Sequence, residues 1–328
     1  MTTLYFIAAI VAGFAILIWG ADRFVDGAAN IARNIGVSPL IVGLTIVGFG
    51  TSAPEMLVSA LAAFDGLPAL GVGNAIGSNI ANIGMVLGIT ILITPLTVNS
   101  NTLKREFPML ALVMALALWL LWDQFLGFND GLILFIGFIL TLVGMAWSAM
   151  KSSQTDPLQR EFDDEYAKIS MTTQQATIKF LIGLIALLIG SKALVWGATG
   201  IAIQLGVSEL VIGLTIVAIG TSLPELAASI MSALKNEHDL AIGNILGSNV
   251  FNILAVLAMP GLIMPAAIDS ELLQRDFSIM ILLFVLLFAF SKYVKAGRIG
   301  RIAGSILLLI YIAYNSLLAY QSTVGIVA

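Results

Sequence analysis

The stretch GVSPLIVGLTIVGFGTSAPE at residues 36–55 recurs as GVSELVIGLTIVAIGTSLPE at residues 206–225. A second block, GNAIGSNIANI at 73–83, recurs as GNILGSNVFNI at 243–253. Both blocks are separated from their copies by the same offset of 170 residues (225 minus 55, and 244 minus 74). Because the two blocks match without a gap, the chain is predicted to contain two homologous halves.

The composition is that of an integral membrane protein. The chain has 328 residues, of which 59% are hydrophobic and only 10% are charged, and its mean hydropathy is +1.03. Soluble domains usually carry about 25% charged residues, so this chain cannot cover a surface that faces water. The formal net charge of −4 is small and scattered, and we expect no nucleic-acid partner.

The residue inventory also excludes several kinds of site. No cysteine is present, so disulfides, thiol nucleophiles and thiolate metal sites are ruled out. The single histidine, His238, lies in a polar turn, which argues against histidine-based zinc sites, catalytic triads and haem ligation. An intramembrane enzyme is disfavoured as well, because the chain has neither a GxGD aspartate pair nor a membrane-embedded histidine.

Ten apolar runs are long enough to cross a bilayer, which requires roughly 17–25 residues. They are 3–20, 38–64, 68–94, 106–122, 130–150, 176–202, 209–233, 239–264, 276–291 and 301–320. We therefore predict an all-α membrane protein with five helices in a first repeat at 1–150 and five in a second repeat at 176–328. A polar loop at 151–175 connects the repeats.

The distribution of basic residues predicts the orientation. All but two of the 15 Lys and Arg residues, Lys192 and Arg275, lie in or beside the alternating loops that begin after the first helix. Basic residues accumulate in cytoplasmic loops, so we expect both termini outside and the 151–175 loop in the cytoplasm.

An odd number of helices per half places the two repeats in opposite orientations. Inverted repeats are typical of secondary transporters, whose binding site lies near the membrane midplane between the repeats. The alternative is a packing core that both halves share. The repeated segments carry polar residues that packing alone does not need, so we favour a transporter.

Two glutamates mark the predicted site. Glu55 and Glu225 each lie well inside an apolar run, whereas nearly all of the other carboxylates lie at the ends of runs or in loops. An ionisable group at such depth is costly and is functional by default. Neither glutamate has a Lys or Arg nearby in its own run, which points to a mobile cation as the partner. The alternative is a protonated glutamate that is hydrogen-bonded inside the bundle.

The flanking residues supply further oxygen atoms. Pro54 and Pro224 lack an N–H group, and they are predicted to break or kink their helices and to release backbone carbonyl groups. Such carbonyls are tolerated at membrane depth where they line a cavity. The predicted hydroxyl and carbonyl ligands beside the glutamates are Thr51, Ser52, Thr221, Ser222, Gly48 and Ala218.

The following helix of each half presents a polar stripe. Residues spaced four apart share a helix face, and such stripes run through 74, 78 and 82 and through 244, 248 and 252. The deeper members are predicted ligands: Ser78, Asn82, Ser248 and Asn252. Asn74, Asn79, Asn244 and Asn249 are assigned instead to hydrogen bonds between helices. The glycines Gly73, Gly77, Gly243 and Gly247 are predicted to allow close helix approach.

An all-oxygen ligand set suits hard cations. Ca²⁺ takes six to eight oxygens in flexible geometry, whereas Mg²⁺ keeps its waters and prefers strict octahedra. Two glutamates carry a charge of −2, which one Ca²⁺ or two Na⁺ would neutralise. The residues alone thus indicate a hard-cation transporter and leave the coupling ion open.

The paired GTSAPE…GNAIGSNIAN and GTSLPE…GNILGSNVFN blocks resemble the two α-repeats of the cation/calcium exchanger superfamily. The chain is most similar to the bacterial and archaeal calcium/sodium antiporters without a large cytoplasmic loop. The resemblance implies ten helices in two inverted repeats with broken helices at the site, in a prokaryotic inner membrane. It places the family's ligands on the residues predicted above, with Ca²⁺ and Na⁺ as transported ions and no cofactor. We expect a monomer in the lipid bilayer.

One position departs from some members of that superfamily. Some exchangers, including the potassium-dependent branch, carry aspartate where this chain has Asn252. With Asn82 and Asn252 both neutral, a possible third charge is missing, and the number of sodium ions per cycle stays open.

Two transport modes fit these residues, and a third is disfavoured. Ca²⁺ export driven by Na⁺ through alternating access is the leading interpretation, and H⁺/Ca²⁺ exchange is the alternative, because an embedded glutamate can take a proton instead of binding Na⁺. A passive channel would not need a duplicated closed site.

Overall fold

The computed structural model describes residues 2–98, 100–152, 171–205, 218–293 and 298–324. These residues are almost entirely helical. Its α-helices are α1 (Thr2–Ile35), α2 (Pro39–Val42), α3 (Gly48–Phe64), α4 (Pro68–Ala81), α5 (Gly88–Ile93), α6 (Ser100–Leu120), α7 (Phe128–Ser152), α8 (Thr173–Gln204), α9 (Ala218–Thr221), α10 (Leu223–Leu234), α11 (His238–Phe251), α12 (Ala258–Ile263), α13 (Ser278–Tyr293) and α14 (Arg301–Val324). The π-helical segments are π1 (Gly43–Val47), π2 (Asn82–Leu87), π3 (Asn252–Val256) and π4 (Leu272–Phe277). Two-residue strands are β1 (Leu96–Thr97), β2 (Phe125–Leu126), β3 (Ala266–Ala267) and β4 (Arg298–Ile299).

Eight helical stretches within the described ranges are long and apolar enough to cross a membrane. They are Thr3–Ile35, Pro39–Phe64, Pro68–Ile93, Phe128–Met145, Thr173–Gln204, His238–Ile263, Leu272–Lys292 and Arg301–Gln321. The predicted span 106–122 lies in α6, which is not among the eight. The predicted span 209–233 begins at residues 209–217, outside the described residues, and continues as α9 and α10. The structure therefore shows an all-helical membrane protein, and the count of ten stays a prediction.

The 170-residue offset reappears in the local structure of the two halves. A π-helical segment begins at Asn82 and another at Asn252, in each case where α4 or α11 ends. Strands β1 and β3 are related by the same offset; β1 pairs antiparallel with β4, and β3 pairs antiparallel with β2. The stretches Pro68–Ile93 and His238–Ile263 are the most buried of the eight, so the polar stripes lie at the centre of the protein.

The helices that contain Pro54 and Pro224 differ, and the predicted break is found only in the helix of Pro224. In the second half the helix is interrupted at Ser222, between α9 and α10, just before Pro224. In the first half, Pro54 lies inside α3, which is continuous from Gly48 to Phe64. Of the predicted break or kink, the break is therefore absent in the first half, and the kink at Pro54 stays a prediction. A proline removes one helical hydrogen bond, and a helix can accommodate that loss without ending.

Helices α1 and α8 pack against each other along much of their lengths, with glycines at the closest points. A Cβ atom on Gly13 would lie 2.9 Å from the carbonyl oxygen of Gly190, and one on Gly183 would lie 2.3 Å from the backbone nitrogen of Phe24. Small residues allow such approach between membrane helices. The two helices therefore form a tightly fitted pair.

An ion-pair cluster joins this pair to the end of α10. Lys235, which follows α10, contacts Asp22 at 2.7 Å and also bonds Asp26, and Lys179 of α8 contacts Asp26 at 2.7 Å. Burial lowers the pKa of Lys235, but its hydrogen bonds to Asp22 and Asp26 raise the pKa more, and the net pKa lies above its usual value. Lys235 therefore keeps its charge at neutral pH, and the cluster persists.

Candidate functional site

The two predicted glutamates lie in the buried interior. Glu55 of α3 and Glu225 of α10 are each 1% exposed, and the Oε2 atom of each has no hydrogen-bond partner among the residues that the structure describes. The hydroxyl group of Thr51, one helical turn before Glu55, contacts Asn244, whose Nδ2 atom donates to the backbone oxygen of Glu225, so the two glutamate helices meet at one place. Among the described residues, the ion pairs involve neither glutamate.

Thr51 lies where the two halves meet, and it is surrounded by oxygen atoms. Its Oγ1 atom is 3.2 Å from the Oδ1 atom of Asn244 and 3.3 Å from the Oγ atom of Ser248, both in α11. The backbone oxygens of Val47 and Gly48 lie at 3.2 and 3.3 Å. A hydroxyl group has one proton, which can serve only one of these acceptors at a time. The cluster thus contains more oxygen lone pairs than protons to satisfy them.

Three further buried polar atoms without partners belong to predicted ligands. They are the Oγ atom of Ser52 and the Oδ1 atoms of Asn82 and Asn252, on side chains that are almost completely buried. Asn82 and Asn252 each begin a π-helical segment, a feature that often occurs at functional sites. Buried polar atoms without partners are uncommon in folded proteins and call for a ligand or another specific role.

The remaining predicted ligands lie in α4, in α11 and around the interruption between α9 and α10. Ser78 and Ser222 are buried, and Ser222 lies at the helix interruption. Thr221 ends α9, and Ala218 begins it, with only the backbone of Ala218 described. The Oγ atom of Ser248 lies 3.5 Å from the carbonyl oxygen of Gly48. A predicted ligand of the second half is thus in contact with a predicted ligand of the first half.

The protein matches the family described as "Sodium/calcium exchanger protein" over residues 5–147 and 175–320. The chain belongs to this family. It is 49% identical to the "Putative antiporter CaxA" of Alkalimonas amylolytica, over 94% of this chain and 97% of that protein. It is also 38% identical to the "Inner membrane protein YrbG" of Escherichia coli (strain K12), over 97% of this chain and 98% of that protein. A solved structure of the sodium-calcium exchanger NCX_Mj superposes with a TM-score of 0.82 at 33% identity, covering 96% of this chain and 99% of that chain.

Family membership defines the general activity of this exchanger. Members are transporters rather than enzymes, and the family transports Na⁺ and Ca²⁺ and needs no cofactor. The protein is therefore a membrane-embedded cation/calcium antiporter.

Two asparagines of the exchanger brace the site as predicted. The Nδ2 atom of Asn74 donates to the backbone oxygen of Glu55 at 3.1 Å and to Ser59 at 3.0 Å. In the second half, Asn244 donates to the backbone oxygen of Glu225 at 3.4 Å and to the serine at position 229 at 3.0 Å. Each asparagine thus links the helix of the polar stripe to the helix of the glutamate.

The other two asparagines do not make the predicted bonds between helices. Asn79 donates to the backbone oxygen of Ala75 in its own helix at 3.0 Å, and neither polar atom of the Asn249 side chain has a partner within the described part of the chain. The prediction is therefore wrong for this pair. Both side chains lie one residue beyond the serine of the stripe, on a different helix face.

Close packing by the glycines is seen in the second half. A Cβ atom on Gly243 would lie 2.5 Å from the backbone oxygen of Leu40, and one on Gly247 would lie 2.3 Å from that of Leu44. Among the described residues, no atom lies within 4 Å of a Cβ on Gly73 or Gly77. Their repeat-related partners would fall within 206–217, outside the described residues, so close approach there stays a prediction.

Sequence reasoning missed three serines of the exchanger. Ser59 and Ser229 receive hydrogen bonds from the bracing asparagines, and Ser191 of α8 donates to the backbone oxygen of Gly220 at 2.7 Å. Ser59 and Ser229 each follow a glutamate by four residues in both copies of the repeat, and this signal could have found them. Ser191 has no such signal, because position 21 of the first half is alanine.

Proposed function

We propose that the protein exports Ca²⁺ in exchange for Na⁺ by alternating access, and that both ions use one site between the two halves. The observation that carries this proposal is the pair of fully buried carboxylates, each with an unpartnered oxygen, beside an excess of neutral oxygen atoms. A buried carboxylate without a cationic side chain is unfavourable unless a cation or a proton compensates its charge.

The proposed ligand set combines two charged groups with neutral oxygens. Glu55 and Glu225 provide the carboxylates. Neutral ligands would be the side-chain oxygens of Thr51, Ser52, Thr221, Ser222, Ser78, Ser248, Asn82 and Asn252 and the backbone oxygens of Gly48 and Ala218. The gathering of oxygens around Thr51 and the orphaned oxygens of Ser52, Asn82 and Asn252 support this set. Oxygen ligands in this number suit Ca²⁺ and Na⁺ better than Mg²⁺.

The same charges explain how the exchange would be coupled. With both glutamates ionised, the site carries a charge of −2 in a medium of low dielectric constant, which is costly to carry through a closed intermediate. Binding of Ca²⁺ or of Na⁺ removes this cost, so loaded states cross the membrane more readily than the unloaded state. Since both ions neutralise the same carboxylates, binding of one excludes the other.

The deciding experiment measures radiolabelled Ca²⁺ uptake into proteoliposomes with and without an outward Na⁺ gradient. The pH is held fixed on both sides, choline replaces Na⁺ in the control, and K⁺ with valinomycin clamps the voltage. We expect uptake to follow the Na⁺ gradient. Uptake of equal rate in Na⁺-loaded and choline-loaded vesicles would contradict Na⁺ coupling.

H⁺/Ca²⁺ exchange is the second candidate. The unpartnered oxygens of Glu55 and Glu225 could bind protons as well as Na⁺, since a carboxyl group removed from water favours its neutral form. In the same vesicles, an imposed pH gradient without Na⁺ would then drive Ca²⁺ uptake. Collapse of that gradient by nigericin would abolish this uptake, whereas uptake coupled to Na⁺ would continue.

A further inference from the structure

The proline in the second half leaves one backbone carbonyl group without its helical donor. Pro224 has no N–H group, so the carbonyl oxygen of Gly220, four residues earlier, receives no helical hydrogen bond from it. Ser191 of α8 supplies a replacement: its Oγ atom lies 2.7 Å from this oxygen, and its side chain is buried. This distance is the usual one for a good O–H···O hydrogen bond.

Helix α8 packs directly on the backbone at this point. A Cβ atom on Gly220 would lie 2.0 Å from the Cγ2 atom of Val195, so a larger residue at 220 would force the Val195 side chain to move. Val195 follows Ser191 by four residues, and both side chains therefore lie on one face of α8. This face contacts Gly220 twice, through the Ser191 hydroxyl group at the carbonyl oxygen and through the Val195 side chain beside Cα.

The hydrogen bond fixes more than a single atom. The carbonyl group of Gly220 and the N–H group of Thr221 belong to one planar peptide unit, so orienting the carbonyl also orients the start of Thr221. The helix is interrupted at the next residue, Ser222, where the backbone has fewer helical bonds to hold it in place. Ser191 thereby controls the position of two proposed ligand residues without touching the ion.

The first half has no equivalent hydroxyl group. The position that corresponds to Ser191 is Ala21, and the helix that contains Pro54 is continuous. Helix α8 is in turn packed closely on α1 through Gly183 and Gly190. The Ser191 bond is thus a direct polar link between the α1–α8 pair and the proposed ion site.

We infer that Ser191 is a positioning residue for cation binding, which sets the ligand geometry of Thr221 and Ser222 through the carbonyl group of Gly220. The inference rests on the proposed function insofar as Thr221 and Ser222 are taken as ligands of the transported ions.

The test compares Ca²⁺ binding to the purified full-length protein by titration calorimetry, together with the Ca²⁺ concentration for half-maximal uptake. Loss of one buried hydrogen bond predicts about three- to tenfold weaker Ca²⁺ binding in Ser191→Ala. The variant Ser191→Thr retains the hydroxyl group and should recover most of the affinity. The matched control is Ser291→Ala, which removes a buried serine that bonds the backbone oxygen of Leu287 within α13 at 2.8 Å. This control should bind Ca²⁺ like the wild type.

The inference is overturned if Ser191→Ala binds Ca²⁺ with wild-type affinity, or if Ser191→Ala and Ser291→Ala weaken binding equally. It is also overturned if Ser191→Thr is as weak as Ser191→Ala, because the effect would then come from packing. A wild type that binds Ca²⁺ but shows no Na⁺-dependent exchange would contradict the proposed coupling alone, and the affinities of the variants would still decide the role of Ser191.

Discussion

Replacing Glu55 by glutamine tests the charge of the proposed site with little change in shape. The amide is nearly isosteric with the carboxylate, but it halves the negative charge and leaves Glu225 to face a divalent cation alone. Breaking a buried ion pair by removing one partner costs about 3–5 kcal/mol. Since every 1.4 kcal/mol changes an equilibrium constant tenfold, Ca²⁺ affinity should fall by roughly 10²- to 10³-fold or more. The same reasoning applies to Glu225→Gln.

The assay has a binding arm and a transport arm. Calorimetry on the purified variants measures Ca²⁺ affinity, and proteoliposomes measure Na⁺-dependent Ca²⁺ uptake. We expect both variants to be folded and inserted in the membrane, because glutamine in the apo protein removes the repulsion between two buried carboxylates. The control is Glu271→Gln, the same substitution at a carboxylate that pairs with Arg275 at 2.8 Å outside the site.

Two results would refute the reasoning. Near-normal Ca²⁺ uptake by Glu55→Gln or Glu225→Gln would mean that the substituted carboxylate is structural. A loss of uptake that Glu271→Gln shares would mean that the vesicle assay responds to general damage rather than to the charge of the site.

Three further predictions can be checked independently. Rising Na⁺ should weaken Ca²⁺ binding progressively while choline holds the ionic strength fixed; constant Ca²⁺ affinity would rule out a shared site. A reporter fused to the C-terminus should lie outside the cytoplasm, and a cytoplasmic reporter would overturn both the orientation and the odd helix count per half. Gly247→Ala should destabilise the protein by several kcal/mol or prevent its folding, because its Cβ would lie 2.3 Å from the backbone oxygen of Leu44. Gly144→Ala is the control, since no described atom lies within 4 Å of its Cβ, and thermal unfolding should be unchanged.

Much of the fold could be predicted because membrane helices have a strong sequence signal. The runs at 68–94 and 239–264 differ by one residue at each end or less from the observed stretches Pro68–Ile93 and His238–Ile263. The first helix was predicted too short: it extends from Thr2 to Ile35, because Arg23 and Asp26 are accommodated in its continuation rather than ending it. Charged residues end an apolar run, but they do not end a helix when ion pairs such as Lys179–Asp26 compensate them.

The depth of the site residues could be predicted from the sequence, whereas most of their contacts could not. The depth of Glu55 and Glu225 follows from apolar flanks on both sides, and both are indeed buried. The asparagines could be recognised as parts of polar stripes. Their hydrogen-bond partners, however, depend on which helix face each side chain occupies, and a shift of one residue along the sequence changes that face. Asn74 therefore makes the predicted hydrogen bond between helices, whereas Asn79 bonds within its own helix. A contact such as that of Ser191 is set by packing between distant segments, which a single sequence does not reveal.

Two nearly identical motifs, GTSAPE and GTSLPE, adopt different backbone structures in the same protein, and one contact that accompanies this difference lies outside the motifs. Each proline removes one hydrogen bond from the preceding turn. In the second half, Ser191 satisfies the released carbonyl group from another helix, and the interrupted form is stabilised there. In the first half, alanine at position 21 offers no such donor, and the continuous helix is the observed form. Inverted repeats must differ in conformation for a site between them to face one side of the membrane at a time. The contact of α8 with Gly220 therefore accompanies the difference between the two halves, and we expect Ser191→Ala to weaken the interrupted form at Ser222.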